Sequence, residues 1–317
     1  MLYSPPPFDP EIAAALEERD DIVTGLNPEE ILTLRRRAPE PALDQMVADG
    51  YEHSLHTLSG PDGNHVELLA LRPRGSAGTL PVLFHVHGGG LIVGTPYDGL
   101  PELAGLANAV GFALVSVGYR LAPEHKYPAA VEDVYAGLNW VAANGHELGV
   151  DPNRIVIEGM SAGGGLAAAA TLLARDRHGP KLRGQMLLYP MLDDRNASGS
   201  ALQMEGIGAW DRTANETGWS AYLGSPRRNV SPYAAPSRAD DLSGLPPTYI
   251  EVGSAETFRD ENVEYAQGIW AAGGDAELHV WAGGAHGFDA LAPDSLLAAD
   301  ARDMRIRWLS RLSSRWT

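Results

Sequence analysis

The chain has 317 residues and a formal net charge of −17, because 41 aspartates and glutamates outnumber 24 lysines and arginines. Hydrophobic residues make up 44% of it and charged residues 21%, which indicates one large folded α/β unit with an added cap and not a disordered chain. The acidic balance argues against nucleic acid and anionic membranes as partners, and the absence of cysteine excludes disulfides and thiolate metal sites.

The first 48 residues are predicted to be helical and to form the first part of a cap. Asn27 and Pro28 suit a helix start, because asparagine can cap the first turn and proline fits its first position. The N-terminal residues do not combine a basic stretch with an apolar one, so we expect no secretory signal. No uncharged stretch reaches the ~20 apolar residues that cross a bilayer. A cytoplasmic protein without a membrane partner is therefore predicted.

Residues 49–191 are predicted to form the first part of an α/β core, and residues 241–317 its last part. Strand candidates in these stretches are mostly separated by helical patterns, as a largely parallel sheet requires. The first two candidates are joined by a turn-forming segment at 59–64 and are expected to pair antiparallel at the sheet edge. The predicted strands cover residues 52–58, 65–72, 81–86, 112–118, 154–158, 184–189, 247–253 and 276–282. The predicted helices cover residues 97–110, 128–144, 161–176, 257–273 and 294–314.

Residues 87–90 read His-Gly-Gly-Gly and directly follow the third predicted strand. Successive glycines let backbone N–H groups turn inward with no side chains in the way. A reacting acyl group develops negative charge on its carbonyl oxygen, and N–H donors held in advance stabilise that charge. Gly89 and Gly90, together with Ala162 at the start of the helix after Ser161, are therefore the predicted oxyanion-hole donors.

A Gly-x-Ser-x-Gly motif at residues 159–163 lies between a predicted strand and a predicted helix. In that context the motif forms a sharp elbow, because its glycines permit a backbone that is too tight for side chains and the serine oxygen stays clear of its neighbours. Ser161 is the predicted nucleophile. Met160 inside the motif and Tyr189 at the end of the sixth predicted strand are candidate substrate-binding residues.

Residues 192–240 interrupt the alternation of strands and helices and are predicted to form the second segment of the cap. Large apolar side chains in this segment could line an acyl or alcohol pocket over the nucleophile, or they could pack the cap onto the core. Trp210 is the candidate substrate-binding residue among them. These side chains are Met204, Ile207, Trp210, Trp219 and Tyr222.

Two polar signals downstream complete a possible catalytic set. Glu256 follows the seventh predicted strand, and His286 follows the eighth within a Gly-Ala-His-Gly-Phe segment. Ser161, then an acid, then a histidine is the chain order of an α/β hydrolase, and it differs from the orders of the chymotrypsin and subtilisin folds.

On these motifs the chain resembles the hormone-sensitive-lipase family of α/β-hydrolase carboxylesterases. The resemblance spans roughly residues 80–290 and implies a mostly parallel eight-stranded sheet flanked by helices, a helical cap and a serine esterase. Met160 departs from the family, whose members commonly carry aspartate or threonine at that position. The motifs that carry the resemblance are H-G-G-G at 87–90, G-Y-R-L-A-P-E at 118–124, P-A-A-V-E-D at 128–133, the elbow at 159–163 and H-G-F at 286–288.

A second departure bears on the identity of the acid. The family commonly has D-x-L-R-D where residues 256–260 read E-T-F-R-D, and matching the motif residue by residue puts Glu256 in the place of the acid. A glutamate can orient an imidazole as an aspartate does. Asp260 is the alternative, although Thr257 and Asp260 also resemble a capping arrangement at the start of a helix. Glu251 lies inside the strand pattern and is less favoured.

Neither a metal nor a cofactor is predicted. The pairs His53 with His56 and His85 with His87 lack a carboxylate at ligand spacing, and the second pair is expected to form hydrogen bonds that fix the glycine loop. Arg35 belongs to a basic cluster at 35–37 that is interpreted as a helix end, where cations suit the helix dipole.

The predicted function is hydrolysis of short- to medium-chain carboxylic esters through an acyl-enzyme intermediate. Three alternatives stay open. One is an amidase or arylformamidase-like acyl hydrolase, because the same groups act on amides, and another is a non-catalytic ligand receptor on the same fold. The third is a lipase acting at interfaces, which is less favoured because the predicted cap is moderately polar. The expected partner is a small-molecule ester. A homodimer through the edge of the last strand is also possible.

Overall fold

The computed structural model describes residues 4–19, 22–35 and 43–316. Its eight strands form one sheet in the order β1-β2-β4-β3-β5-β6-β7-β8. The strands are β1 Tyr51–Ser59, β2 His65–Pro73, β3 Leu80–Val86, β4 Ala113–Val117, β5 Val150–Met160, β6 Leu182–Leu188, β7 Thr248–Gly253 and β8 Ala276–Trp281. The helices are α1 Pro10–Glu18, α2 Ile31–Arg35, α3 Leu43–Ala48, α4 Leu100–Ala109, α5 Ala129–Asn144, α6 Ala162–Asp176, α7 Gly199–Gln203, α8 Arg212–Leu223, α9 Arg259–Ala271, α10 Phe288–Leu291 and α11 Leu296–Ser313.

The sheet has the predicted topology. Strands β1 and β2 form an antiparallel hairpin at one edge, and β2 also pairs antiparallel with β4. All pairings from β4 through β3, β5, β6 and β7 to β8 are parallel. Parallel strands need crossover helices that cover both faces of the sheet, which is why the central strands are apolar on both sides. The predicted eight-stranded, mostly parallel sheet is confirmed.

Two apolar layers flank this sheet. On one face, Phe84 and Ile157 pack with side chains of α5, α6 and α9, such as Leu138 and Leu166. On the other face, Val156 packs with side chains of α4 and α11. Because both faces are covered by helices, polar groups that solvent can reach gather at the ends of the central strands. The loops that follow the C-terminal ends of these strands carry such groups. Ligand sites of open α/β sheets lie at this end.

Several element boundaries differ from the predicted ones for local reasons. The helix predicted at 97–110 begins at Leu100, because Gly99 adopts a left-handed conformation with φ 70°. Strand β5 is longer than the predicted 154–158 and starts at Val150, where it pairs with Leu80 before a register shift.

The two predicted cap segments meet through the chain before α2. The N–H of Trp210 donates to the carbonyl of Val23 at 2.6 Å, and Thr217 Oγ1 donates to the carbonyl of Leu26 at 2.6 Å. Helix α1 packs instead on the body, where the N–H of Asp9 donates to the carbonyl of Gly283. The division into core and cap stays a prediction, and parts of its first segment, including Arg36 and Arg37, lie outside the described residues.

Over the described ranges, no helix combines the length and the apolar character needed to cross a bilayer.

Candidate active site

Ser161 occupies a sharp turn between β5 and α6. Its backbone has φ 56° and ψ −123°, a strained conformation for a residue with a side chain. The flanking glycines leave room for this turn: a Cβ at Gly159 would lie 2.3 Å from the carbonyl oxygen of Gly163, and a Cβ at Gly163 would lie 2.0 Å from that of Val86. The N–H of Ser161 donates to the carbonyl of Leu188 at 2.9 Å, which ties the elbow to β6.

Ser161, His286 and Glu256 form one hydrogen-bonded chain. His286 Nε2 lies 2.9 Å from Ser161 Oγ, and His286 Nδ1 lies 3.0 Å from Glu256 Oε1. The second oxygen of Glu256 accepts the N–H of Gly253 at 2.9 Å. Because a carboxylate only accepts hydrogen bonds, Nδ1 carries the proton and Nε2 faces the serine oxygen as an acceptor. Glu256 is 1% exposed, so water does not compete for this carboxylate.

Two aromatic rings hold the imidazole of His286 from its sides. Phe258 meets it edge to face at 4.9 Å between ring centroids, and Tyr189 does so at 5.0 Å. Such edge-to-face contacts restrict rotation of the imidazole ring. The histidine is thus oriented by its carboxylate partner and by packing.

The other two acids considered from the sequence lie elsewhere. Asp260 accepts the N–H of Ser200 at 2.7 Å and the Nε–H of Arg259 at 2.8 Å, so it joins α9 to α7. Glu251 is buried and accepts hydrogen bonds from Arg305 and from the hydroxyl of Tyr249. Neither carboxylate contacts the histidine.

The capping interpretation holds for Asp260, which lies in the first turn of α9, and fails for Thr257. Its hydroxyl donates to the carbonyl of Trp210 at 2.8 Å and so holds the second cap segment. Helix α9 begins after Phe258, which makes no side-chain capping bond. The Thr257 hydroxyl bonds to Trp210 and does not cap α9, because the buried carbonyl of Trp210 would otherwise have no hydrogen-bond donor.

The glycine loop at 87–90 packs against the elbow. Gly89 and Gly90 have φ 106° and φ 59°, conformations that residues with side chains rarely adopt. Within the described part of the chain, the N–H groups of Gly89, Gly90 and Ala162 have no hydrogen-bond acceptor. Ala162 is the first residue of α6, so the positive end of that helix dipole adds to the same local field.

His87 and Tyr119 hold this loop through ring stacking and hydrogen bonds. The two rings stack 4.1 Å apart with 9° between their planes, and the hydroxyl of Tyr119 donates to the carbonyl of His87 at 2.9 Å. His87 Nδ1 donates to the carbonyl of Gly88 at 2.8 Å, as expected of a histidine that fixes the loop. Burial lowers the pKa of His87 to about 3, so its ring stays neutral. Tyr119 has no role in the sequence interpretation, although it lies in the G-Y-R-L-A-P-E motif.

We expect His87 to make stability depend on pH. Its pKa falls from 6.5 to about 3 on folding, so between these values the unfolded chain binds one more proton than the folded chain. The free energy of unfolding therefore decreases as pH falls below 6.5, by up to about 1.4 kcal/mol per pH unit from this residue. Urea unfolding from pH 7 to pH 4 should show a shallower pH slope for His87→Asn than for the wild type. His53→Asn, at an exposed position of β1, is the control; equal slopes in all three proteins would contradict the assignment.

A cavity of about 510 Å³ opens next to the elbow; Met160 lines it, whereas Ser161 and His286 do not. Met160, Leu188 and Tyr189 form its wall on the side of the sheet, and residues of α4 and α11 form the opposite wall. The hydroxyl of Tyr189 donates to Asp289 at 3.0 Å, and burial together with this carboxylate raises the pKa of the phenol well above its usual range. Tyr189 therefore stays a neutral side chain with an apolar face.

Trp210 lies on the other side of the site. A Cβ at Gly90 would lie 2.1 Å from its indole ring, so the ring packs directly on the glycine loop. Trp210 is buried and has φ 51°, and its carbonyl and N–H are held by Thr257 and Val23. The structure thus places Met160 and Tyr189 along the cavity and Trp210 against the predicted oxyanion hole.

Arg35 joins the first predicted cap segment to the core. Its guanidinium donates to the carbonyls of Ile92 at 2.7 Å and Ala122 at 2.6 Å and pairs with Glu124. These bonds attach α2 to the chain that follows the glycine loop. The helix-end interpretation of the 35–37 cluster stays a prediction, because Arg36 and Arg37 lie outside the described residues. It missed the partners of Arg35, because Ile92 and Ala122 are distant in the sequence.

The described residues contain no group of three or more histidines, aspartates or glutamates that could hold a metal ion. The expectation that no metal or cofactor is required stays a prediction.

Comparison with known proteins places this geometry in a family. A family model described as alpha/beta hydrolase fold matches residues 83–290. The chain belongs to this family. It is 40% identical over 212 residues to the esterase LipI of Mycobacterium tuberculosis, covering 63% of this chain and 62% of LipI. It is 38% identical over 238 residues to the carboxylesterase NlhH of the same species, covering 73% of this chain and 74% of NlhH.

A solved structure of a bacterial heroin esterase is similar to this α/β hydrolase over nearly its whole length. The TM-score is 0.87 at 35% sequence identity, and the match covers 96% of this chain and 98% of the other. These relatives confirm the resemblance to the hormone-sensitive-lipase family.

Proposed function

We propose that this α/β hydrolase is a serine carboxylesterase that cleaves short- to medium-chain carboxylic esters. The observation that carries the proposal is the hydrogen-bonded chain from Glu256 through His286 to Ser161. It ends beside the N–H groups of Gly89, Gly90 and Ala162, which have no acceptor within the described residues. A nucleophile, an oriented base and free donors for an oxyanion are the three elements that acyl transfer requires.

The reaction proceeds in two halves. His286 Nε2 takes the proton of Ser161 as the serine oxygen attacks the ester carbonyl, and the carbonyl oxygen becomes an oxyanion held by the three backbone donors. The proton on Nε2 then passes to the leaving alcohol, and an acyl-enzyme remains. Water repeats the sequence: His286 takes a proton from it, and the hydroxyl oxygen attacks the acyl carbon. The bond from that carbon to Ser161 Oγ then breaks, and the proton on Nε2 returns to Ser161 as the acid leaves. Glu256 stabilises the imidazolium formed in each half.

The cavity supports a small-molecule substrate. Its volume of about 510 Å³ falls within the ordinary range for sites of small ligands. Met160 and Tyr189 line this cavity, and the two also connect it to the triad, because Met160 precedes Ser161 in the chain and the ring of Tyr189 contacts His286. Trp210 packs on the glycine loop. We propose these three as substrate-binding residues. The relatives named esterase and carboxylesterase agree with this chemistry.

Amide hydrolysis is the alternative within the same chemistry, since the same groups serve an amide carbonyl. A non-catalytic receptor on this fold is less well supported, because the serine, histidine and glutamate are all present and hydrogen-bonded to one another. A homodimer through the edge of β8, where Val280 is 43% exposed, remains a prediction, as does a cytoplasmic location.

Hydrolysis of p-nitrophenyl esters from acetate to palmitate tests the proposal, with p-nitroacetanilide as the amide comparison. We expect the highest kcat/KM on short and medium acyl chains and a loss of roughly 10⁵-fold or more in kcat for Ser161→Ala. Ser313→Ala, at the end of α11, is the matched control and should retain the wild-type rate. A wild type that cleaves no ester, or a Ser161→Ala variant that keeps its rate, would overturn the proposal. Preference for the anilide would favour the amidase.

A further inference from the structure

Three polar side chains form a row across the centre of the sheet, beneath the proposed active site. His85 of β3 is in register with Ser116 of β4 on one side and with Glu158 of β5 on the other. Residues in register on parallel strands point to the same face. His85 Nδ1 lies 2.5 Å from Glu158 Oε2, which is a direct bond between the two central strands.

This row is fully buried and incompletely paired. His85, Ser116 and Glu158 are each 0% exposed. Among the described residues, His85 Nε2, Ser116 Oγ and Glu158 Oε1 have no hydrogen-bond partner. A second catalytic triad of the same residue types is thereby excluded: no substrate reaches these atoms, and the histidine makes no bond to the serine.

Stability does not explain why polar groups stand here. Replacing a buried, paired polar or ionic couple with apolar residues of similar size is often neutral or stabilising. The neighbours on this face, including Leu83, Leu114 and Val156, are apolar and would accept such a replacement. In some proteins a buried polar pair of this kind contributes to the precise relative placement of the elements that it joins.

The His85–Glu158 bond lies close to the ends of β3 and β5 that lead to the proposed active site. His85 precedes the glycine loop by two residues on β3, and Glu158 precedes Ser161 by three residues on β5. Val86 and Gly159 form the last register pair of these strands, after which the chain of β3 turns into the loop. The bond is therefore the last side-chain link between β3, which leads to the proposed donors Gly89 and Gly90, and β5, which leads to Ser161 and the third donor Ala162.

The loop and the elbow also pack with no free space between them. A Cβ at Gly88 would lie 3.2 Å from the carbonyl oxygen of Met160, and a Cβ at Gly163 would lie 2.0 Å from that of Val86. A shift of β3 against β5 at His85 therefore moves the donors relative to Ser161. Misplacement of reacting groups by about 1 Å can cost about 10²-fold in rate.

We propose that the His85–Glu158 hydrogen bond is a positioning element of the reaction, which sets the distance between the glycine loop and the nucleophile. The inference rests on the proposed esterase function. His85 and Glu158 touch no substrate. They act through the two strand ends, so their loss lowers kcat and leaves substrate binding in place.

Matched substitutions at His85 test the bond. The side-chain nitrogen of asparagine can take the place of Nδ1, whereas that of glutamine takes the place of Nε2, which points away from Glu158. We expect His85→Asn to retain kcat within about threefold and His85→Gln to lose about tenfold or more, with KM changed less than about threefold. The concentration of reactive serine is titrated with an organophosphonate, and the rate on p-nitrophenyl acetate is divided by it. The kcat obtained in this way refers to folded protein only.

An apolar double variant, His85→Leu with Glu158→Leu, separates positioning from stability. We expect it to unfold at or above the wild-type temperature because the unpaired atoms of His85 and Glu158 are removed together with the bond, and Ser116 Oγ stays as it is in the wild type. We also expect a loss of about tenfold or more in kcat. The control is Gln185→Leu with Thr248→Val, which removes the buried bond between Gln185 Nε2 and Thr248 Oγ1 at the opposite end of β6 and β7 and should retain kcat.

A folded apolar double variant with wild-type kcat overturns the inference. If the double variant does not fold, the pair of single variants decides: equal kcat values for His85→Asn and His85→Gln then overturn the inference. A wild type that hydrolyses no ester refutes the proposed function instead. In that case the rate of Ser161 phosphonylation in the same variants tests whether the bond positions the serine.

Discussion

Replacing Glu256 with glutamine is expected to lower kcat for ester hydrolysis by about 10⁴-fold. The carboxylate accepts the Nδ1 proton of His286 at 3.0 Å and the N–H of Gly253 at 2.9 Å, and these bonds fix the tautomer that leaves Nε2 free to take the serine proton. An amide retains the shape but has one acceptor oxygen for two N–H donors, so its NH₂ group must face either His286 or Gly253, and without a charge it does not stabilise an imidazolium. Steady-state kinetics on p-nitrophenyl acetate measure the effect, and KM should change little.

Asp260→Asn is the matched control for this prediction. The aspartate is four residues away, carries the same charge and binds Ser200 and Arg259, not the histidine. We expect Asp260→Asn to retain kcat within about tenfold while the junction between α7 and α9 loses stability by about 1–3 kcal/mol, because the N–H of Ser200 loses a charged acceptor. The assignment fails if Asp260→Asn loses as much activity as Glu256→Gln.

Gly90→Ala is expected to lower kcat by about 10² to 10³-fold, the effect of losing one oxyanion donor. The new methyl group would lie 2.1 Å from the ring of Trp210, and φ of 59° is unfavourable for alanine. The loop must shift, and the N–H groups then no longer converge beside Ser161. Kinetics on one short-chain ester should show the loss mainly in kcat, since the donors act on charge that develops in the transition state.

Gly78→Ala separates backbone strain from loss of the donors. Gly78 has φ 69° in the turn between β2 and β3, and no atom would lie within 4 Å of its new Cβ. The control therefore carries a similar conformational cost of about 1–2 kcal/mol without a clash and far from the site. Its kcat should equal that of the wild type. If Gly90→Ala also keeps its rate, the glycine loop is not the oxyanion hole.

The extent to which the site could be predicted differs from residue to residue. Ser161 was identifiable because a strand, a glycine-flanked serine and a helix of small residues are adjacent in the sequence, and the glycines permit the turn at φ 56°. His286 followed from chain order after the last strand. These are short-range features, which one segment of chain determines almost alone.

The acid was harder because the choice between Glu256 and Asp260 depends on where β7 ends and α9 begins. The strand ends at Gly253 and the helix starts at Arg259, which leaves Glu256 in the turn beside His286 and places Asp260 on the helix next to α7. Element boundaries at this precision depend on packing more than on local propensity.

The residues that support the site were the least accessible to prediction. Tyr119 stacks on His87, and Arg35 binds carbonyl groups of residues 57 and 87 positions away in the sequence. The pairing of His85 with Glu158 joins residues 73 positions apart. No local pattern marks such contacts, because each partner alone is an ordinary polar residue.

By itself, then, the sequence determined the α/β alternation, the elbow with its serine, the glycine loop and the order of the catalytic groups, because these depend on backbone sterics and on the periodicity of apolar residues. The tertiary structure decided which carboxylate meets His286, where Trp210 and Tyr189 lie around the nucleophile, and which buried polar groups join β3 to β5. Those choices depend on strand order in the sheet, which brings together residues that the chain keeps far apart.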